Sequence, residues 1–374
     1  MKIQQYKAET GQKLNLTSDK NVNLVLVFAD RERLESDIAS EMGSVFPNAN
    51  IVFCSTAGEI MGNSVSDGTI SVTAVEFEKT GVKSALVNMK DYTDSSAAGK
   101  DIVEKLNGDK VRHILVFADG GMVNGSDLVK GMNESLPSGV TISGGLAGDG
   151  TQFAKTLVGL NRDIQVGNIA AIALSGDDLE VSCSSRGGWD SFGPDRKITK
   201  SEANVLYELD GNSALSLYKK YLGDLADQLP GSALLFPISI RVGEQSQPLV
   251  RTILSINEED QSMTFAGNMP EGAYARLMKA NFDRLIDAAS GAAETCFTAF
   301  NSTAPQLAIL VSCVGRKIVL GQRIDEEVES VREGFGKETA MAGFYSYGEI
   351  SPLGGFLGCE LYNQTMTITA FRES

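Results

Sequence analysis

Ser55-Thr56-Ala57-Gly58-Glu59, Gly144-Gly145-Leu146-Ala147-Gly148-Asp149 and Tyr345-Ser346-Tyr347-Gly348-Glu349 each set a glycine directly before an acid. Glycine permits positive φ and close backbone approach, and a carboxylate out of water needs a cation, an ammonium group or hydrogen-bond donors. Each segment is therefore either a corner of a small-ligand site or a tight turn capped by its own acid. Arg316, directly after Ser312-Cys313-Val314-Gly315, supplies a guanidinium that can grip a ligand carboxylate through two parallel hydrogen bonds, while Glu349 or Asp149 takes the amine. That constellation suits an amino-acid-like ligand; the competing reading is an Arg-carboxylate pair inside the fold. Trp189, in Ser184-Ser185-Arg186-Gly187-Gly188-Trp189, offers a stacking wall beside Arg186 or fills a domain interface. Tyr345 and Tyr347 alternate with period two, so one can face a crevice while the other packs.

Other chemistries find less support. A phosphate loop needs Lys and Ser or Thr after its last glycine, and Asp149 stands there instead. The single histidine, His113, rules out sites that need several imidazoles, and it precedes an apolar strand with no nucleophile evident beside it. The five cysteines are scattered and never form a Cys-x-x-Cys pair, so free thiols are expected, with Cys54 and Cys313 the strand-end thiols to test for reactivity. A binding protein without catalysis, metal or resident cofactor is the expectation.

The elements that must position these residues recur three times. An apolar strand (Leu24 to Asp30, Ile114 to Asp119, Ala308 to Cys313) leads into a helix with apolar residues three to four apart. In the first copy these are Leu34, Ile38, Met42 and Val45; in the third, Ile324, Val328, Val331 and Phe335. A second strand then runs into each glycine-acid corner. Strand, helix and strand within about 40 residues form a right-handed βαβ unit with parallel strands. Extended segments after the corners, such as Gly68 to Val75, predict an added antiparallel strand. The fold class is α/β: two domains with mixed sheets flanked by helices, built from repeated β-α-β-β units. A 1–21 N-terminal extension, a first domain over 22–210 and a second over 211–374 are expected, divided near Asp210-Gly211. A long helix carrying Tyr274, Leu277, Met278, Phe282, Leu285 and Ile286 is expected before the third repeat. In open α/β sheets ligands bind beyond the carboxyl ends of the parallel strands, which is where the corners fall.

With 374 residues, 42% of them hydrophobic, the chain can bury a large core. A formal net charge of -15 argues against a nucleic-acid partner or an anionic membrane surface. No signal peptide or membrane span is read, and a cytoplasmic location is expected.

Phe192-Gly193-Pro194-Asp195-Arg196-Lys197-Ile198-Thr199, followed by Val205 to Leu215 and Tyr218 to Gly223, resembles the junction of the N-terminal and C-terminal FIST domains. Cys313-Val314-Gly315-Arg316, Ala342 to Ile350 and Leu361-Tyr362-Asn363-Gln364-Thr365 resemble the C-terminal FIST signature. The resemblance runs from about Val22 to Phe371. It implies a sensory module that binds small ligands such as amino acids. The output would pass through a separate partner, a histidine kinase or a diguanylate cyclase or phosphodiesterase, because the FIST pair fills the chain. Some relatives are haem-binding nitric-oxide sensors, and the alternative the resemblance implies is haem, for which His113 is the one imidazole.

Overall fold

The computed structural model describes residues 1–243, 247–352 and 358–374. Its body is made of three six-stranded sheets with one shared plan. In the first, Leu24–Ala29 and Asn50–Ser55 lie parallel, with Ile70–Glu76 antiparallel beside them and Lys2–Ala8 at the edge. The second repeats this with Val111–Ala118, Thr141–Leu146, Asn168–Ser175 and Gly81–Asn88, and the third with Leu307–Cys313, Ala340–Ser346, Met366–Glu373 and Leu179–Arg186. The parallel pairs and added antiparallel strands are those expected from the repeat. Residues 1–21 are not merely an extension, because Lys2–Ala8 completes the first sheet.

The last two places in each sheet are filled by a hairpin from another unit. Glu59–Met61 and Ser64–Ser66, which follow the first unit's corner, complete the third sheet. Val158–Leu160 and Asp163–Gln165 pass from the second unit to the first, and Gly348–Pro352 with Cys359–Tyr362 pass from the third to the second. The exchange is cyclic, so each sheet is completed by a hairpin from one other unit and the three units are tied together in a ring.

Near-continuous apolar strands need cover on both faces, and they receive it. Inner faces meet in a shared core where Phe28 lies 4.9 Å from Phe344 and 5.7 Å from Phe117, ring centre to ring centre. Outer faces are covered by helices: Ile38–Val45 on the first sheet, Ser95–Leu106 and Gly125–Ser135 on the second, Phe282–Ala299 and Ile324–Phe335 on the third.

Between Leu179–Arg186 and Phe282–Ala299 the chain builds a curled half-barrel from strands that include Asp190–Glu202, Val205–Leu209, Ile238–Arg241, Ser262–Phe265 and Tyr274–Lys279. Its own core, with Ile198, Leu215, Tyr218, Met263 and Phe265, is closed by the helix Ala214–Leu222. Asp210-Gly211 is a turn within this half-barrel, both residues at positive φ. The long helix expected from Tyr274 onward starts later. Tyr274–Lys279 pairs with Asp190–Glu202 as a strand, and the Asn281 side chain accepts from the Arg284 amide to cap a helix that begins at Phe282. The apolar spacing of 274–286 runs across that junction, so its helical period was fortuitous.

Candidate ligand-binding site

The three glycine-acid corners meet at the carboxyl ends of the parallel strands and hydrogen-bond to one another. Gly148 N–H donates to Ser55 O at 2.9 Å, Gly150 N–H to Thr56 O at 3.2 Å, Ala57 N–H to Tyr345 O at 2.8 Å, and Tyr347 N–H to Leu146 O at 3.1 Å. Approach is close enough that a Cβ on Gly148 would lie 2.9 Å from Ala57 N. Here the glycine serves contact between units.

Two of the acids are turned inward. Glu59 accepts from the Thr56 hydroxyl and from Thr69 N–H and hydroxyl at 3.1 and 2.6 Å. Glu349 repeats the pattern with the Ser346 hydroxyl at 2.7 Å and Thr365 N–H and hydroxyl at 3.1 and 2.9 Å. Burial pushes their carboxyls up, to about 7 for Glu59 and about 8 for Glu349. Asp149 differs: it accepts from the amides of Phe153, Ala154 and Lys155 at 2.9, 2.9 and 2.8 Å, and from the Tyr347 hydroxyl. It thereby folds 149–156 into a tight loop.

That loop forms one wall of a cavity of about 730 Å³, within the range of small-molecule sites. The opposite walls are the segment 120–125 after the second unit's first strand, the half-barrel residues Thr252, Ile253, Leu254 and Phe265, and Cys313, Val314, Tyr347 and Leu361 of the third unit. The half-barrel is fastened beside it by Arg251, which donates to Leu361 O at 2.8 Å, and by Asn268, which donates to Asp127 at 3.1 Å. Tyr347 stacks on Phe153 with ring centres 4.7 Å apart. Burial raises the Cys313 thiol to about 12, so it stays protonated.

Of the residues expected from sequence, Tyr347 and Cys313 line this cavity and Asp149 braces its loop. Arg316 does not reach it. The guanidinium is fully buried, paired with Glu327 at 2.6 Å, and donates to the carbonyls of Gly187, Leu285 and Gln364. Its capacity is consumed inside the fold, so the carboxylate grip expected with Glu349 is replaced by the structural pair. Tyr345 packs inside as well and donates to Glu327 at 2.7 Å. Ser55 accepts from Leu157 N–H, and Thr56 is committed to Glu59. Arg186 is on the outer surface with Thr295. Trp189 is buried, donates to Gln364 O at 2.8 Å and belongs to an apolar cluster against which the cavity-lining Leu234 packs, so it stands behind the wall.

His113 lies at the opposite end of its strand from the corners, both ring nitrogens bonded, to Thr141 at 2.7 Å and Ser143 at 2.8 Å. It does not fit the role of haem ligand in this cavity. Sequence reasoning missed Met122, Phe153 and Leu254, the exposed apolar side chains in the cavity wall. Nothing local marks them, since two come from separate loops and Leu254 from the half-barrel strand Ile253–Asn257. The one available signal was Asp119-Gly120-Gly121, a second acid-glycine turn at a strand end.

The FIST N domain matches residues 23–212 and the FIST C domain matches 214–352. The chain belongs to the FIST family. FIST domains are sensory domains that bind small ligands rather than catalysts, and a cavity walled by both halves of this FIST protein is in keeping with that. A similar chain is an uncharacterised protein of Methanocaldococcus jannaschii, 22% identical over 356 residues, spanning 86% of this chain and 67% of the relative. Among the described residues no helix is long and apolar enough to cross a membrane.

Proposed function

We propose that this FIST protein senses a small metabolite held in the cavity between the second unit and the half-barrel, and that a separate partner protein reads its occupancy. The observation that carries this is the composition of the wall: segments 120–125 and 153–156 come from the first FIST domain, and 252–254 and 265–267 from the second. A ligand touching all of them couples the two domains, because its affinity depends on how they sit together. The FIST resemblance supports a histidine kinase or a cyclic-dinucleotide enzyme as the proposed partner. An amino-acid ligand has less support than expected, since Arg316 and Glu349 are both occupied within the fold.

The test is a thermal-shift screen of metabolites followed by Trp189 emission. Leu234 of the wall packs against the apolar cluster that holds Trp189, so binding should move both signals. A ligand that binds only the folded state at a hundredfold excess over Kd adds about 2.7 kcal/mol. A broad library that moves neither the melting temperature nor the emission would sink the proposal.

A further inference from the structure

The cavity's polar groups indicate what it can hold, provided that it is the sensory site. Anion sites are commonly built from converging backbone N–H groups in turns, and the two rim loops contain such groups. Each set is already filled by the protein's own carboxylate. Asp119 accepts from Gly121 and Met122 at 2.7 and 2.8 Å, and its other oxygen accepts from Gly167 at 2.7 Å. Asp149 takes Phe153, Ala154 and Lys155. A ligand carboxylate or phosphate would find those donors spent and two buried acids behind them.

Cations fare no better. Both acids are held by hydrogen bonds, and Lys155, the one charged side chain in the wall among the described residues, reaches back to Glu35 at 2.7 Å. The wall's amides and hydroxyls also have protein partners: Asn124 caps the helix Gly125–Ser135 and donates to Asn268, Asn204 donates to Phe265 O, Thr156 accepts from Gly120, and Thr252 accepts from Gln364. Meanwhile Met122, Phe153 and Leu254 remain 57%, 55% and 45% exposed around the cavity. Exposed apolar side chains gathered at a cavity mark a binding surface, and the Phe153-Tyr347 stack presents a flat face.

From these observations we infer that the cavity selects an uncharged, predominantly apolar, flat ligand and rejects anions and zwitterions. A charged head entering it loses water without gaining a partner, whereas an aromatic body gains the apolar rim.

The experiment compares two dyes with one skeleton. The full chain is titrated with phenylnaphthylamine, which is neutral, and with anilinonaphthalene sulfonate, which carries one negative charge. Expected is saturable, blue-shifted emission with the neutral dye bound about tenfold or more tightly than the sulfonate. Leu254→Asp, at an exposed position, should weaken the neutral dye, and Met122→Lys should raise affinity for the sulfonate. Equal or tighter binding of the sulfonate to the wild type, weakened by Leu254→Asp, overturns the charge selection and leaves the cavity as the ligand site. Binding of the neutral dye that neither substitution changes places it elsewhere and overturns the inference. No binding of either dye, with no hit in the metabolite screen, removes the cavity reading itself.

Discussion

The Tyr347 hydroxyl donates to the Asp149 carboxylate, tying the corner of the third unit to the loop of the second. The same oxygen accepts from Asp149 N–H at 3.1 Å, and the tyrosine ring supports Phe153 at the cavity. Tyr347→Phe removes the donor and keeps the ring. Loss of a hydrogen bond to a charged group costs about 1.5–3 kcal/mol, so a lower urea midpoint is expected with the fold retained. Amide exchange across 149–156 should accelerate, and binding of any cavity ligand should weaken. Unchanged exchange in that loop would show that Asp149 needs only its backbone donors.

Glu59 and Glu349 make stability depend on pH in an unusual direction. Their folded values, about 7 and about 8, are above the ordinary carboxyl value of 4.5. The folded chain therefore holds protons that the unfolded chain has released. Their contribution is full below about pH 4.5 and is lost as pH rises through about 7 and 8. Glu349→Gln keeps an acceptor for Thr365 and lets the Ser346 hydroxyl turn to accept from the new amide. Relative to the wild type, this variant should gain stability between about pH 5 and 8, on the order of 3 kcal/mol in all. Parallel denaturation midpoints for the two proteins across that range would contradict the assignment.

The repeat was legible because period carries it: apolar runs make strands, three-to-four spacing makes helices, and glycine-acid pairs end each unit. The corners' convergence followed from their shared position after parallel strands. The cyclic exchange of hairpins was not legible. Glu59–Met61 has the composition of any short strand, and its partner, Ala340–Ser346, is some 280 residues away, a distance local patterning does not encode. The half-barrel was missed for a related reason, since Tyr274–Lys279 has helical apolar spacing and becomes a strand only through pairing with Asp190–Glu202. Arg316 shows the limit for sites. A buried arginine and a ligand-gripping arginine look identical until the carboxylate opposite, here Glu327, is placed.

Arg316→Ala should be among the most destabilising single changes in the chain. It strands Glu327, which is fully buried, with only the Ser312 and Tyr345 hydroxyls as donors. Breaking a buried pair from one side costs about 3–5 kcal/mol. Pairing Arg316→Met with Glu327→Gln removes both charges and should recover much of the loss. Urea denaturation of the single and double variants measures the coupling. A mild effect of Arg316→Ala, together with loss of ligand binding, would return the guanidinium to the binding role expected from sequence.

His113 is held neutral by burial, and a directed chain of hydroxyls sets its tautomer. Thr369 donates to Ser143 at 2.6 Å, which leaves the Ser143 hydrogen for Nε2 of the imidazole, while Thr141 donates to Arg112 O and so accepts from Nδ1–H. Burial lowers the imidazole to about 3, well under its ordinary 6.5. The stability linked to it is therefore present above about pH 6.5 and is lost as pH falls toward about 3. The single histidine should give ring resonances that do not move between about pH 7 and 5, with Nδ1 protonated. His113→Gln should flatten the acid limb of the stability profile and leave ligand binding at the cavity unchanged. A ring that titrates near its ordinary value, or a cavity ligand lost with the imidazole, would show that His113 faces something other than Thr141 and Ser143.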